Sequence, residues 1–307
     1  MPVQHLQGDC RQLLPTLPAR SVQCIVTSPP YFGLRSYLPH DHAAKAREIG
    51  QEATVKEYIQ TLVAVFRDVS RVLMDNGTVW LNLGDAYADK DSARAAGVKP
   101  GDLMGLPWRT AMALQADGWY LRSDIIWAKP NPKPESVKNR PTKAHEYLFL
   151  LAKKQNYYYD ADAIREPVTS TGGASFGKQN HSTEGTGAQS RRLQSAAERC
   201  HPLGKNKRSV WKIPVRSFPG AHFAVFPKDL VRPCILAGCP KNGTVMDCFA
   251  GSGTVGEVAA ELGRGAILIE LHPVYVQMQK GRNAISAVLD PLSSTKEELP
   301  EKRGWLF

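Results

Sequence analysis

The sequence has no apolar stretch long enough to cross a membrane, which needs about 20 consecutive apolar residues. Its longest apolar runs, such as Ile125–Trp127 and Tyr147–Ala152, fall far short of that length. The first residues, Met1–His5, also lack an apolar signal segment, so we expect a cytoplasmic protein. With 307 residues, 42% of them hydrophobic, the chain can bury a large core, either as one sizeable domain with an inserted module or as two closely packed domains.

Paired cysteines are missing as well, because no two of the six cysteines are separated by only two residues. The sequence therefore predicts neither a zinc site nor a disulfide framework. The eight histidines likewise show no spacing typical of a metal site, and we expect no metal. Most of the cysteines are interpreted as small buried residues; they are Cys10, Cys24, Cys200, Cys234, Cys239 and Cys248.

Acidic residues are outnumbered, since 29 Asp and Glu stand against 39 Lys and Arg and leave a net charge of +10. Residues 165–216 hold ten basic and three acidic side chains and account for most of this excess. A polyanion-binding protein would show such a bias. Thr169–Ser190, inside this segment, is rich in Gly, Ser, Thr and Asn, so a solvated loop stays open as the alternative to a DNA-reading element.

A second basic stretch, Lys129–Arg140, contains too many prolines for a helix and is predicted to be an extended loop. Such a loop could contact the phosphate backbone of DNA. The residues that we predict to contact DNA are Lys133, Lys138 and Arg140 in this stretch, and Arg191, Arg192, Lys205, Lys207 and Arg208 in the longer segment.

Short apolar strands alternate with helical patterns along the chain, which predicts a doubly wound α/β sheet. Apolar residues at helical spacing predict a helix over Val55–Leu73, and Asp75-Asn76-Gly77 predicts a turn after it. A second helix is predicted over Pro107–Ala116, and a third begins at Thr254. The predicted strands are Val22–Thr27, Thr78–Leu83, Tyr120–Trp127, Glu146–Leu151, Thr244–Phe249 and Ala266–Glu270.

The late strand ends in a glycine turn, Gly251-Ser252-Gly253-Thr254-Val255-Gly256, that matches the GxGxxG pattern. Glu270 lies 17 residues beyond Gly253, close to the distance at which an acid meets ribose hydroxyls in adenosine-binding folds. The unit is therefore predicted to bind a nucleoside-like ligand. A nicotinamide dehydrogenase would use the same pattern, but only about 50 residues follow the turn and no hydride-handling pair stands out.

The early strand ends in Thr27-Ser28-Pro29-Pro30-Tyr31, which suits chemistry on the amine of a DNA base. An aromatic amine is a poor nucleophile, and hydrogen-bond acceptors aimed at its N–H groups return electron density to the nitrogen. The Ser28 hydroxyl oxygen and the Pro29 carbonyl suit that role, because two prolines stiffen the turn and remove competing N–H donors. Tyr31 would stack on a base flipped out of the duplex. A merely rigid turn is the alternative.

Together these motifs resemble the β group of amino-methylating DNA methyltransferases, in which the catalytic motif precedes the cofactor motif. The resemblance also includes Gly8-Asp9-Cys10, His145-Glu146-Tyr147 and the segment 222–270. It implies S-adenosylmethionine as cofactor, double-stranded DNA as substrate and a sheet that brings both motifs side by side. It implies Ser28, Pro29, Pro30 and Tyr31 as catalytic residues, and as cofactor contacts Asp9, Cys10, Thr27, His222, Phe226, Asp247, Phe249, Gly251, Ser252, Gly253, Thr254 and Glu270.

The target base stays open between cytosine N4 and adenine N6, although Ser at the first motif position is associated in this family with cytosine. Methylation of cytosine C5 would need a cysteine nucleophile, and Pro233-Cys234 supplies such a dipeptide. Its apolar, helix-like surroundings instead predict a core residue. The further alternatives are methylation of RNA or protein, and a non-catalytic DNA-binding protein on this fold.

The domain organisation follows from these assignments. We expect a catalytic half over residues 1–160, a basic target-recognition insert over 161–220, a cofactor-binding half over 221–290 and a C-terminal tail over 291–307. A homodimer is expected if the DNA site is palindromic, because two-fold sites favour two-fold proteins. A restriction-modification system with a cognate endonuclease is one expected biological setting, and an orphan enzyme stays open as the alternative.

Overall fold

The computed structural model describes residues 2–34, 36–38, 41, 45, 48–168, 201–215 and 227–288. The strands are β1 (Val3–Gln7), β2 (Val22–Thr27), β3 (Leu73–Leu83), β4 (Tyr120–Ala128), β5 (His145–Ala152), β6 (Val210–Lys212), β7 (Thr244–Asp247) and β8 (Gly265–Glu270). The helices are α1 (Cys10–Leu13), α2 (Val55–Val72), α3 (Lys90–Ala96), α4 (Leu106–Ala116), α5 (Lys228–Gly238), α6 (Thr254–Glu261) and α7 (Pro273–Val288).

The eight strands form one sheet in the order β1-β8-β7-β2-β3-β5-β4-β6. Strand β5 runs antiparallel to β3 and β4, and every other neighbouring pair is parallel. The predicted α/β sheet is confirmed. Because β2 pairs with β7, the strand that leads into the early motif lies beside the strand that leads into the glycine turn.

Successive residues of the central strands face opposite sides of the sheet, and helices cover both sides. On β2, Ile25 belongs to the hydrophobic core that packs with α2 and α4, whereas Cys24 and Val26 belong to the core that packs with α5 and α6. On β3, Val79 lies in the first core and the fully buried Trp80 in the second. The central strands are therefore buried on both faces, which explains their continuous apolar sequences.

Helix α2 begins at the expected residue because Thr54 and Glu57 form a reciprocal cap at its first turn. Its apolar face includes Tyr58, Leu62 and Phe66, each buried to within 1% of its surface. The turn predicted at Asp75-Asn76-Gly77 is wrong, since β3 runs without a break from Leu73 to Leu83. The segment instead forms an irregularity in the pairing with β2, where Val22 pairs with Leu73 and Cys24 with Thr78.

Gly77 explains why a turn-like sequence was used inside the strand. A Cβ atom at this position would lie 2.5 Å from Leu73 Cδ1 and 2.9 Å from the carbonyl oxygen of Gln23. The chain can therefore pass this point of close approach only with a glycine. The same Asp-Asn-Gly sequence that usually turns a chain is used here to accommodate extra residues in a strand.

Candidate active site

A pocket of about 290 Å³ opens at the carboxyl edge of the sheet, where the ends of several strands converge. Ligand sites of open α/β sheets occur at this edge. Strand β5 is reversed, so it brings its first residues, rather than its last, to the same place. The side chains and backbone that line the pocket come from Gly8–Arg11 after β1, Ser28–Tyr31 after β2, Asn82 on β3, Trp127 and Lys129 at the end of β4, Glu146 on β5, Asp247–Ser252 after β7 and Glu270 at the end of β8.

The two sequence motifs are joined directly by a hydrogen bond across 220 residues of chain. The Thr27 hydroxyl donates to Asp247 Oδ1 at 2.6 Å, and both side chains are buried. The backbone N–H of Phe249 donates to the same carboxylate oxygen at 3.0 Å. Burial raises the pKa of Asp247 to about 7, against the opposing effect of these hydrogen bonds. Asp247 therefore anchors the early motif to the glycine turn.

The glycine turn between β7 and α6 has the backbone that its sequence requires. Gly251 and Gly253 have φ of +49° and +83°, values that side chains disfavour. A Cβ atom on Gly253 would also lie 2.7 Å from Gln279 Cγ. Gln279 Nε2 in turn donates to the carbonyl oxygen of Gly251 at 2.8 Å, which fastens the turn to α7.

Glu270 closes this end of the pocket. Its Oε2 accepts the N–H of Gly251 at 2.7 Å, and its Oε1 accepts the N–H of His272 at 2.7 Å. Burial raises the pKa of the Glu270 carboxyl to about 7, and the backbone hydrogen bonds oppose that rise. An ionised carboxylate keeps further lone pairs, so Glu270 can still accept hydrogen bonds from the hydroxyls of a sugar.

Asp9 and Cys10 also line the pocket, at the start of α1. Asp9 caps that helix, and its carboxylate forms an ion pair with Arg11 at 2.6 Å. Burial raises the pKa of the Cys10 thiol to about 12, so the thiol stays protonated near neutral pH. The thiol is thus a small apolar part of the wall and not a nucleophile.

The early motif forms the other half of the pocket. Pro30 is held by its carbonyl oxygen, which accepts the Tyr58 hydroxyl at 2.9 Å. Ser28 Oγ donates to the Tyr31 hydroxyl at 3.4 Å, and the Tyr31 hydroxyl donates to Glu146 Oε2 at 2.8 Å. Tyr31 comes close to the backbone of the chain after β3, where a Cβ atom on Gly84 would lie 2.5 Å from its ring.

The predicted site residues did not include several residues that line the pocket, among them Asn82, Trp127 and Lys129. Glu146 was predicted as the first residue of a strand and belongs to the family resemblance, but it was assigned no role. Each of the four stands at or near a predicted strand end, which is the signal that could have found them. Lys129 forms an ion pair with Glu146, and its ammonium group lies 4.4 Å from the Trp127 ring centre.

The family model described as DNA methylase matches residues 22–281 of the chain. The chain belongs to this family. The resemblance drawn from the two motifs is thereby confirmed, and the dehydrogenase alternative is wrong. The chain is similar to the Type II methyltransferase M.SmaI of Serratia marcescens, with 44% identity over 293 residues that cover 90% of this chain and 88% of that protein. It is similarly 43% identical to the Type II methyltransferase M.Cfr9I of Citrobacter freundii, over 90% of this chain and 86% of the relative.

Solved structures share the fold of this methylase. The PvuII DNA methyltransferase, described as cytosine-N4-specific, superposes with a TM-score of 0.66 at 19% identity and covers 96% of this chain and 89% of its own. A putative DNA modification methylase from Thermus thermophilus, solved as a complex with S-adenosyl-L-methionine, gives a TM-score of 0.58 at 25% identity, over 93% and 94% of the two chains.

The loop after β4 and the chain after β6 both leave the sheet next to the pocket. Strand β6 pairs with the last residues of β4, and Asn131 and Val215 then exchange two hydrogen bonds of 2.9 Å. The loop after β4 and the chain after β6 are thus tied together, and Lys129 and Val215 both line the pocket.

Several of the predicted DNA-contacting side chains already have partners within the chain. Arg140 forms an ion pair with Glu135, and its guanidinium lies 3.6 Å from the Tyr87 ring centre. Lys207 and Arg208 both pair with Glu166, at 3.7 and 2.9 Å. Lys133, Lys138 and Lys205 are described, whereas Arg191, Arg192, His222 and Phe226 lie outside the described residues. The predicted contacts of all these residues with DNA or cofactor stay predictions.

Cys234 lies in α5 and is completely buried, so the prediction of a core residue is confirmed. Its thiol donates to the carbonyl oxygen of Leu230 at 3.1 Å, and burial raises its pKa well above the ordinary value. A thiol that is neither ionised nor in the pocket cannot attack cytosine C5.

In the part of the chain that the structure describes, no cluster of His, Cys, Asp and Glu could hold a metal ion. Within the same ranges, no helix combines the length and apolarity of a membrane span.

Proposed function

We propose that this methylase transfers the methyl group of S-adenosylmethionine to the exocyclic amine of a cytosine flipped out of duplex DNA. The observation that carries the proposal is the Thr27–Asp247 hydrogen bond, which fixes the early motif and the glycine turn in one pocket. One half of that pocket suits an adenosyl group and the other a flat amine. The sulfonium methyl group can then pass between them by direct displacement.

The cofactor end is formed by the residues that hold a nucleoside and an amino acid in such pockets. Glu270 accepts hydrogen bonds from ribose hydroxyls, as acids do at this place in adenosine-binding sheets. The turn Phe249–Gly253 leaves room for the methionine part, because glycines remove side chains from the backbone that faces it. The Thermus thermophilus methylase, with the same fold, was solved with this cofactor.

The base end supplies acceptors for the two N–H groups of the amine. The Ser28 oxygen and the Pro29 carbonyl are the candidates, since the Pro30 carbonyl accepts the Tyr58 hydroxyl. Such acceptors increase the electron density on the nitrogen while it attacks the methyl group. Tyr31 and Trp127 line the pocket as well and add aromatic surface to it. Because the amine is inaccessible in a stacked duplex, the base has to be flipped into the pocket.

Cytosine is proposed over adenine because the first motif position is Ser28, the residue that the family resemblance associates with N4 methylation. Digestion of treated DNA to nucleosides followed by mass spectrometry tests this choice. Purified protein, unmethylated genomic DNA and S-adenosylmethionine should yield N4-methylcytosine. N6-methyladenine would overturn the choice of base but keep the reaction class, and no methylated nucleoside would overturn the proposed function.

Ser28→Ala tests the clamp, with Ser21→Ala as its matched control at the other end of β2. Ser21 Oγ donates to the Pro18 carbonyl at 2.8 Å and lies away from the pocket. We expect Ser28→Ala to lose most methyl transfer while it still binds the cofactor and DNA, and Ser21→Ala to remain active. The homodimer and the cognate endonuclease stay proposals, and analytical ultracentrifugation with and without a palindromic duplex tests the first of them.

A further inference from the structure

Ser28 can serve as an acceptor only if its own hydrogen points away from the substrate amine. A hydroxyl rotates freely and can donate as well as accept, so a hydrogen aimed at the amine would oppose the reaction. The described contacts around Ser28 lead away from the substrate space through Tyr31 to Glu146 and Lys129. That chain of groups determines which way each hydrogen points.

The orientation starts at Glu146, whose carboxylate forms an ion pair with Lys129 and can only accept. The Tyr31 hydroxyl therefore donates to it, at 2.8 Å. Burial, together with the nearby Glu146 charge, raises the pKa of Tyr31 well above its usual range, so Tyr31 always carries the hydrogen to donate. With that hydrogen used, the Tyr31 oxygen offers only lone pairs to Ser28.

A competing acceptor for the Tyr31 hydrogen is Asn82 Oδ1, at 3.4 Å. Asn82 Nδ2 donates to the Tyr147 carbonyl at 2.9 Å, which fixes the amide with its oxygen toward Tyr31. The Glu146 carboxylate is both closer and charged, and charge-assisted hydrogen bonds are the stronger ones. The Tyr31 hydrogen thus points to Glu146, and the Ser28 hydrogen points to Tyr31.

We infer that Glu146, held by Lys129, is a positioning residue that keeps the Ser28 hydroxyl oxygen free to accept a hydrogen bond from the substrate amine. The inference rests on the proposed function. The side chains of Glu146 and Lys129 are each 17% exposed, so water competes little for the carboxylate. The 3.4 Å contact of Ser28 with Tyr31 is long and should shorten when a base fills the pocket.

The test is a double-mutant cycle on methyl transfer with Glu146→Gln and Tyr31→Phe. Gln keeps the shape of Glu146 but can donate as well as accept, so it no longer determines the direction of the Tyr31 hydrogen. We expect Glu146→Gln to lower kcat about 10- to 100-fold, the range for hydrogen bonds to charged groups, with unchanged affinity for S-adenosylmethionine. In Tyr31→Phe, where no hydroxyl is left to orient, adding Glu146→Gln should change kcat less than about twofold.

Two further variants separate positioning from simple loss of an ion pair. Glu261→Gln removes a carboxylate that pairs with Lys228 at 2.7 Å at the far end of α6, and it should leave kcat and KM unchanged. Lys129→Arg should retain activity, whereas Lys129→Met should lower kcat, because it no longer holds Glu146. Thermal unfolding of every variant reports whether a loss comes from misfolding.

The outcomes keep the inference and the proposed function distinguishable. Active wild-type protein with an unchanged Glu146→Gln variant would overturn the inference alone, and so would effects of Glu146→Gln and Tyr31→Phe that multiply independently. A wild-type protein that binds cofactor and DNA but methylates no base would overturn both. A loss of activity in Glu146→Gln that the Tyr31→Phe background abolishes supports the inference.

Discussion

Glu270→Gln should change how the stability of this methylase depends on pH. The pKa of Glu270 is about 7 instead of the ordinary 4.5, because the carboxyl is buried. The folded state holds its proton more tightly than the unfolded state. The stability that this group provides is therefore complete below pH 4.5 and is lost as the pH rises through about 7. Glutamine has no such titration.

The size of the effect follows from the same pKa. A rise from 4.5 to about 7 corresponds to about 3 kcal/mol in the free energy of unfolding. Because the carboxylate lines the open pocket and meets some water, we expect about 2 kcal/mol. The amide can accept from only one of the N–H groups of Gly251 and His272, which adds a pH-independent cost of about 1–2 kcal/mol.

Urea unfolding of both proteins at pH 5 and pH 8, in the absence of cofactor, measures the difference. The free energy of unfolding of the variant, relative to that of the wild type, should rise by about 2 kcal/mol from pH 5 to pH 8. Asp247, which also has a pKa of about 7, is present in both proteins and largely cancels. If the two proteins differ in their free energy of unfolding by the same amount at both pH values, the assignment of a buried, protonated Glu270 is refuted.

The affinity of the wild type for S-adenosylmethionine should rise with pH, whereas the stability that Glu270 provides falls with pH. If the ionised carboxylate accepts the ribose hydroxyls, S-adenosylmethionine should bind the wild type about tenfold more weakly at pH 6 than at pH 8. Isothermal titration calorimetry at both values measures this ratio. The methylase would then give up stability at neutral pH for a carboxylate that is ready to bind ribose. Equal affinity at both pH values would contradict a direct role for the charge.

Three further predictions concern the pocket wall and the core. Gly84→Ala should displace the Tyr31 ring, because its Cβ would lie 2.5 Å from that ring, and it should lower methyl transfer at least tenfold. The control Gly281→Ala has open space around its Cβ and should keep the wild-type rate. Initial rates of methyl transfer measure both. Cys234→Ala should retain methyl transfer at a modest cost in stability, and an inactive but folded variant would revive a thiol mechanism. Phe66→Ala should destabilise the protein by about 3–5 kcal/mol in urea unfolding, because Phe66 is completely buried; a loss below about 1 kcal/mol would contradict this core assignment.

The sequence allowed good prediction of elements whose pattern is local. Val22–Thr27 was predicted with its exact bounds, and the helices over Val55–Val72 and Leu106–Ala116 to within one residue. The cap of Thr54 and Glu57 and the proline in the first turn of α4 mark those beginnings in the sequence itself. Short strands such as β1, which is paired only through β8, have no such local signal and were missed.

The site was predictable only where the motif itself carried the chemistry. The glycine turn and the Ser28 motif could be read because the backbone or the reaction requires those residues. The ion pair of Lys129 and Glu146 depends on β5 running antiparallel beside β4, and no local pattern encodes which strands become neighbours. The partners that Arg140 and Lys207 find in Glu135 and Glu166 likewise depend on loop conformation.

The pairing of β2 with β7 has a consequence for synthesis in the cell. A ribosome adds about 5–20 residues per second. Asp247 is therefore synthesised roughly 10–45 s after its hydrogen-bond partner Thr27, which precedes it by 220 residues. During that time the edge of β2 that β7 will cover is unpaired, and exposed edges can bind other chains. The nascent methylase therefore has no complete pocket until late in translation, and chaperones that shield this edge should raise its yield more than they raise its activity per folded molecule.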